Sequence, residues 1–79
     1  MLPQRRALAE ASALRLEAGR LNFLAHDLKL QAKAFEGYDA AEATRLFAEA
    51  ADAQRAATEK RNNADALDDM LFHHGAGDT

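Results

Sequence analysis

The course of this chain is decided by seven residues near its middle, Glu36-Gly37-Tyr38-Asp39-Ala40-Ala41-Glu42. Gly37 suits the left-handed position that closes many helices, because a residue without a Cβ adopts that conformation at little steric cost. Asp39, followed three residues later by Glu42, matches a capping box that opens the next helix. A helix stop and a helix start this close together leave no room for a loop. The stretch therefore predicts a tight turn at residues 37–39 between two antiparallel helices.

The segments on both sides of the turn have the composition of long helices. Pro3 is the only proline, and it stands where a first helical turn tolerates it. Between Pro3 and the turn, only Gly19 disfavours a helix, by about 1 kcal/mol relative to alanine. We predict one all-α hairpin domain over residues 1–79. Its parts are helix 1 over about residues 3–36, helix 2 over about residues 40–73 with Gly75 as its stop, and a frayed tail over residues 74–79.

Alanines recur every seven residues on both helices and predict the surface by which the helices pack. Paired across the turn, the two rows are all centred between Gly37 and Tyr38. Facing alanines allow two helix backbones to approach to the low end of the usual range of about 8–10 Å. We predict a close-packed seam of Ala11, Ala18, Ala25, Ala32, Ala43, Ala50, Ala57 and Ala64. Larger side chains should flank it, namely Leu14, Leu21, Leu28, Phe35, Leu46, Phe47, Ala53 and Leu67.

Helix 1 carries a second apolar stripe, which helix 2 lacks. Leu16, Phe23 and Leu30 project from the side of helix 1 opposite Leu14, and Gly19 lies between the first two. A lone hairpin covers one side of helix 1 only, and soluble monomers rarely expose a contiguous apolar strip. These four residues, Leu16, Gly19, Phe23 and Leu30, are therefore the predicted partner interface. A second copy or another protein would complete a four-helix bundle.

Composition excludes several classes of function. A chain of 79 residues buries a thin core, and the absence of cysteine removes disulfides and thiolate metal sites. A net charge of −3 gives no electrostatic drive toward nucleic acid or an anionic membrane. No apolar run reaches the roughly 18 residues of a membrane span, and early charged residues interrupt any signal-peptide core. We expect a cytoplasmic protein with a protein partner, without a nucleic-acid or membrane partner.

Side chains that could carry chemistry are sparse. Asp65, Asp69 and His73 share one face of helix 2 and could ligate a divalent ion, although no fourth ligand is evident. We expect no cofactor and no enzymatic activity, because a thin hairpin offers no enclosed pocket and contains no nucleophile beside a base. Charged pairs at helical spacing are predicted to be intrahelical ion pairs: Glu42–Arg45, Arg45–Glu49, Arg55–Glu59 and Arg61–Asp65.

The segment over residues 34–47 resembles the hairpin turn of a tetratricopeptide repeat. It is also similar to the helical extension that precedes Smr-type nuclease domains. Any capped turn between antiparallel helices gives this pattern, and a tetratricopeptide array requires several repeats. The resemblance implies the turn geometry and no function.

Three functional hypotheses follow. The first is a non-enzymatic interaction module, a small adaptor, assembly or regulatory protein that acts through the second face of helix 1 as a homodimer or with a partner. The second is an inhibitor of the kind encoded by mobile elements, which blocks a host protein with one helical face. The third is a metal-binding helical protein that uses Asp65, Asp69 and His73.

Overall fold

The computed structural model describes the backbone of residues 3–77 and the side chains of residues 5–71. Helix α1 spans Pro3–Phe35 and helix α2 spans Ala40–Gly77. The two helices pack antiparallel along their length, and their Cα atoms extend over 63 × 19 × 12 Å. The predicted two-helix hairpin is thereby confirmed, and its long, thin shape leaves most of each helix in contact with water.

The core of the hairpin is a row of alanines. All eight seam alanines are at most 4% exposed. Because α1 ends at Phe35 and α2 begins at Ala40, residues equidistant from the turn lie level with one another along the hairpin. A methyl group is the largest side chain that fits where two helix backbones approach closely, and this explains why alanine occupies the centre of the contact.

Larger apolar side chains close the sides of this seam. Leu46 and Ala53 of α2 are buried. The remaining flanking residues are half-buried, with part of each side chain covering the seam and part facing water: Leu14, Leu21, Leu28, Phe35, Phe47 and Leu67. Most of the apolar stabilisation of the hairpin therefore comes from partial burial of large side chains around a fully buried row of small ones.

The turn closes α1 differently from the prediction. Gly37 was expected in the left-handed region, yet no glycine of residues 3–77 has a positive φ. Instead, the carbonyl of Phe35 accepts hydrogen bonds from the backbone N–H groups of Tyr38, at 3.1 Å, and Asp39, at 2.8 Å. These right-handed turns end the helix at Phe35 rather than at residue 36. The left-handed assignment was wrong because glycine permits that conformation without requiring it.

Asp39 caps α2, as its position in the sequence predicts. Its Oδ1 accepts a hydrogen bond of 3.1 Å from the backbone N–H of Glu42, one of the donors that a helix start leaves without a partner. The reciprocal half of the capping box does not form. The N–H of Asp39 is bound to Phe35, and the Glu42 carboxylate pairs with Arg45.

At its far end, α2 continues through Gly75 to Gly77. The predicted stop at Gly75 and the tail beginning at residue 74 were therefore wrong. One glycine within a helix costs only about 1 kcal/mol, which is too little to end a helix by itself. Neither helix, over residues 3–77, contains an apolar stretch long enough to cross a bilayer.

Candidate interaction surface

The predicted stripe lies on the outer side of α1. Leu16 is 66% exposed, Phe23 is 76% exposed and Leu30 is 54% exposed. Each follows a seam alanine by five residues, a step that turns about 140° around a helix. The side chains that cover the seam therefore cannot also cover the stripe. Three large apolar groups in a line on one helix, facing water, form the most distinctive surface of the described residues.

Gly19 leaves a gap in this stripe. A shallow depression over it is lined by Arg15, Leu16, Gly19, Arg20 and Phe23. A Cβ added to Gly19 would meet no atom within 4 Å, so the glycine is not needed for packing within the hairpin. The depression is instead open to an incoming side chain from outside.

One edge of the stripe bears a pair of opposite charges. Arg20 and Asp27 are both exposed, and they lie one heptad apart along α1. The Asp27 Oδ2 accepts a hydrogen bond of 3.0 Å from the Gln31 side chain, whereas Arg20 has no ion-pair partner among residues 5–71. Leu24 lies between these two charges on the helix surface and is 46% exposed. Leu24 falls outside the heptad row of the stripe, so the sequence pattern alone does not identify it.

The outer face of α2 differs from that of α1. A shallow depression on this face is lined mainly by polar side chains: Ala51, Gln54, Arg55, Thr58, Glu59, Asn62 and Asn63. Among the side chains of α2 that the structure describes, over residues 40–71, Met70 is the exposed large apolar residue, at 54%. Among the ion pairs predicted within α2, those of Arg45 with Glu42 and Glu49 are present, whereas Arg55 pairs with Asp52 instead of Glu59. The apolar surface is thus concentrated on α1.

Charges also join the two helices. The Lys60 Nζ lies 2.8 Å from Glu17 Oε2, and Arg15 reaches both Asp65, at 3.2 Å, and Asp68. The Lys60 ammonium, chiefly through its hydrogen bond, lowers the pKa of the Glu17 carboxyl, and Glu17 in turn raises the pKa of Lys60. Hydrogen bonds to Asp68 and Asp65 likewise raise the pKa of Arg15. All these groups are solvated, so their contribution is to fix the register rather than to add much stability.

Of the three predicted metal ligands, Asp65 and Asp69 have described side chains, and neither belongs to a metal-site grouping among residues 5–71. Asp65 is held by Arg15 instead of Arg61, which places a cation where a metal ion would have to bind. The side chain of His73 lies outside the described residues. Among the side chains of residues 5–71, no group of three histidine or carboxylate residues has the spacing of a metal site.

Comparisons with protein-family models, with curated protein sequences and with solved structures found no match to this chain. Over the described residues, the geometry defines a two-helix hairpin whose α1 carries an apolar face that α2 does not cover.

Proposed function

We propose that this protein is a non-enzymatic interaction module that acts through the α1 stripe, as a small adaptor, assembly or regulatory protein. The observation that carries the proposal is the exposure of Leu16, Phe23 and Leu30 in one line on the side of α1 away from the seam. Fully burying such a side chain contributes about 1.5–3 kcal/mol, so a partner that covers all three gains a substantial part of a binding free energy.

The surrounding features support binding to a folded surface. The depression over Gly19 would admit a protruding side chain, and the charged edge formed by Arg20 and Asp27 supplies groups that orient a partner. A buried apolar centre with a polar rim is the usual anatomy of a protein–protein interface. A second hairpin placed over the stripe would give a four-helix assembly.

The test compares Phe23→Glu with Met70→Glu. Both replace an exposed large apolar residue by a good helix former, one within the stripe and one on α2. Molar mass from light scattering and affinity capture from host lysate are measured for both variants and the wild type, with circular dichroism as the check on folding. We expect Phe23→Glu to lose the assembly or captured partner of the wild type, and Met70→Glu to keep it.

Either of two results contradicts the proposal. One is a Phe23→Glu variant that retains every association of the wild type. The other is loss of helicity in Phe23→Glu, which would place that side chain inside the hairpin.

A further inference from the structure

We infer that the partner of the α1 stripe is a second copy of this chain, whose α1 packs antiparallel to the first about a two-fold axis level with residue 21. This inference rests on the proposed function and specifies its partner. A two-fold contact uses the same patch on both copies, so the patch has to be complementary to itself. The α1 face meets that requirement in shape and in charge.

Phe23 supplies a protruding group, and Gly19 supplies the space to receive it. With the axis level with residue 21, Phe23 of each copy lies over Gly19 of the other, in the depression lined by Leu16 and Arg20. Leu16 of one copy is then level with His26 of the other and lies one helical turn from its Leu30. This is the knob-into-hole arrangement of packed helices, and it occurs twice in the contact.

The charges select the antiparallel direction. Arg20 and Asp27 border the same edge of the stripe, on either side of Phe23. In the antiparallel pair, the long side chain of Arg20 of each copy reaches along the contact to Asp27 of the other, and the hydrogen bond from Gln31 leaves Asp27 with acceptor capacity. A parallel pair about a two-fold axis would put this edge on opposite sides of the contact in the two copies, so that Arg20 would not face Asp27 and the charge pairing would be lost.

An ion pair within the hairpin shows that an arginine can contact a carboxylate five residues beyond the position level with it on an antiparallel helix. Arg15 is level with Lys60 across the turn, and its guanidinium contacts Asp65, which is five residues further along α2. Around an axis at residue 21, Arg20 is level with Asn22 of the second copy, and Asp27 is again five residues further along. The proposed pair therefore repeats an offset that the chain already uses between antiparallel helices.

The position of the stripe also determines the layout of the dimer. Seam and stripe lie about 140° apart around α1, so its two neighbours are nearly on opposite sides. The four helices form a row with the two α1 helices inside and the two α2 helices outside. A square bundle would instead require each helix to contact its neighbours on adjacent sides.

The test exchanges the two charges. Arg20→Asp and Asp27→Arg each place like charges at both contacts of the dimer, and we expect each variant alone to dimerise roughly tenfold or more weakly than the wild type. The double variant R20D/D27R restores opposite charges and should dimerise like the wild type. An equimolar mixture of the two single variants should form a heterodimer, because one copy then carries two acidic and the other two basic groups.

Dimer dissociation constants are measured by sedimentation equilibrium. The inference is overturned if the wild type remains monomeric or if the single variants dimerise as well as the wild type. It is also overturned if neither the double variant nor the mixture regains the dimer affinity of the wild type. If the wild type is monomeric but captures another protein, and Phe23→Glu abolishes that capture, then the inferred second copy is contradicted and the proposed interaction module is supported. If Phe23→Glu changes neither dimerisation nor protein capture, the proposed function itself is contradicted.

Discussion

Arg15 of α1 and Asp65 of α2, separated by 50 residues in the chain, form an ion pair with an N–O distance of 3.2 Å. The same guanidinium also contacts Asp68, one turn further along α2. Lys60 and Glu17 make a second cross-helix contact close by. An alanine seam has little shape to resist sliding, because its side chains are identical and small. The cross-helix charges oppose such a slip, since a shift of one helical turn would separate them.

The Glu17–Lys60 contact predicts a pH dependence. The pKa of Glu17 is lowered in the folded chain from its ordinary value of 4.5, so the unfolded state binds the proton first as the pH falls. The stability that Glu17 contributes is therefore present above pH 4.5 and is lost as the pH falls through the lowered pKa. In thermal melts, Glu17→Gln should unfold at a lower temperature than the wild type at neutral pH. The difference in melting temperature should shrink as the pH is lowered into the acid range. Glu10→Gln, which removes an exposed carboxylate outside any ion pair of the described residues, serves as control. An equal gap for both variants would argue against the contact.

The seam predicts that replacing two alanines of α2 by leucine has very different effects on stability. Ala50 is fully buried, whereas Ala48, two residues away, is exposed. Ala50→Leu should destabilise the hairpin by about 1–3 kcal/mol, because the added methylenes force apart backbones that pack closely. Ala48→Leu should leave the free energy of unfolding nearly unchanged. Urea melts of both variants give the comparison, and similar losses at the two positions would mean that the seam lies elsewhere.

Gly37 should accept a side chain. It lacks a positive φ, and an added Cβ would meet no atom within 4 Å. Gly37→Ala is expected to raise stability by about 0.4–1 kcal/mol, since alanine reduces the conformational freedom of the unfolded chain. Differential scanning calorimetry measures the change. A marked loss of stability would indicate that the turn uses a left-handed glycine in solution.

The stability of the hairpin should depend on the side-chain oxygen of Asp39 rather than on its charge. Its Oδ1 accepts the N–H of Glu42, and an asparagine oxygen accepts the same bond. Asp39→Ala is expected to cost about 0.5–2 kcal/mol, and Asp39→Asn much less, because asparagine is as good a cap as aspartate. If the two variants unfold at the same denaturant concentration, the cap contributes nothing through this hydrogen bond.

Local patterns predicted most of this fold, and what they missed depends on the geometry of the whole turn and on contacts between the two helices. The alanine rows and the Asp39 cap depend on spacings within one helix, so the sequence reveals them directly. The end of α1 depends on where the Phe35 carbonyl finds its donors along the whole turn, which no single residue determines. Asp65 has a helical neighbour of opposite charge in Arg61, but folding brings Arg15 to it instead. On the stripe, the heptad row identified Leu16, Phe23 and Leu30, whereas Leu24 is recognised as exposed only once the neighbouring helix is in place.

The extents of the chain, 63 × 19 × 12 Å, have a hydrodynamic consequence. A rod of these proportions experiences more friction than a sphere of equal mass, so a single chain should leave a gel-filtration column ahead of globular standards of its size. Pairing side by side through α1 doubles the mass and thickens the rod while lengthening it only slightly. The sedimentation coefficient should then rise steeply while the elution position moves only modestly. End-to-end association would show the opposite balance, with a large shift in elution and a small gain in sedimentation.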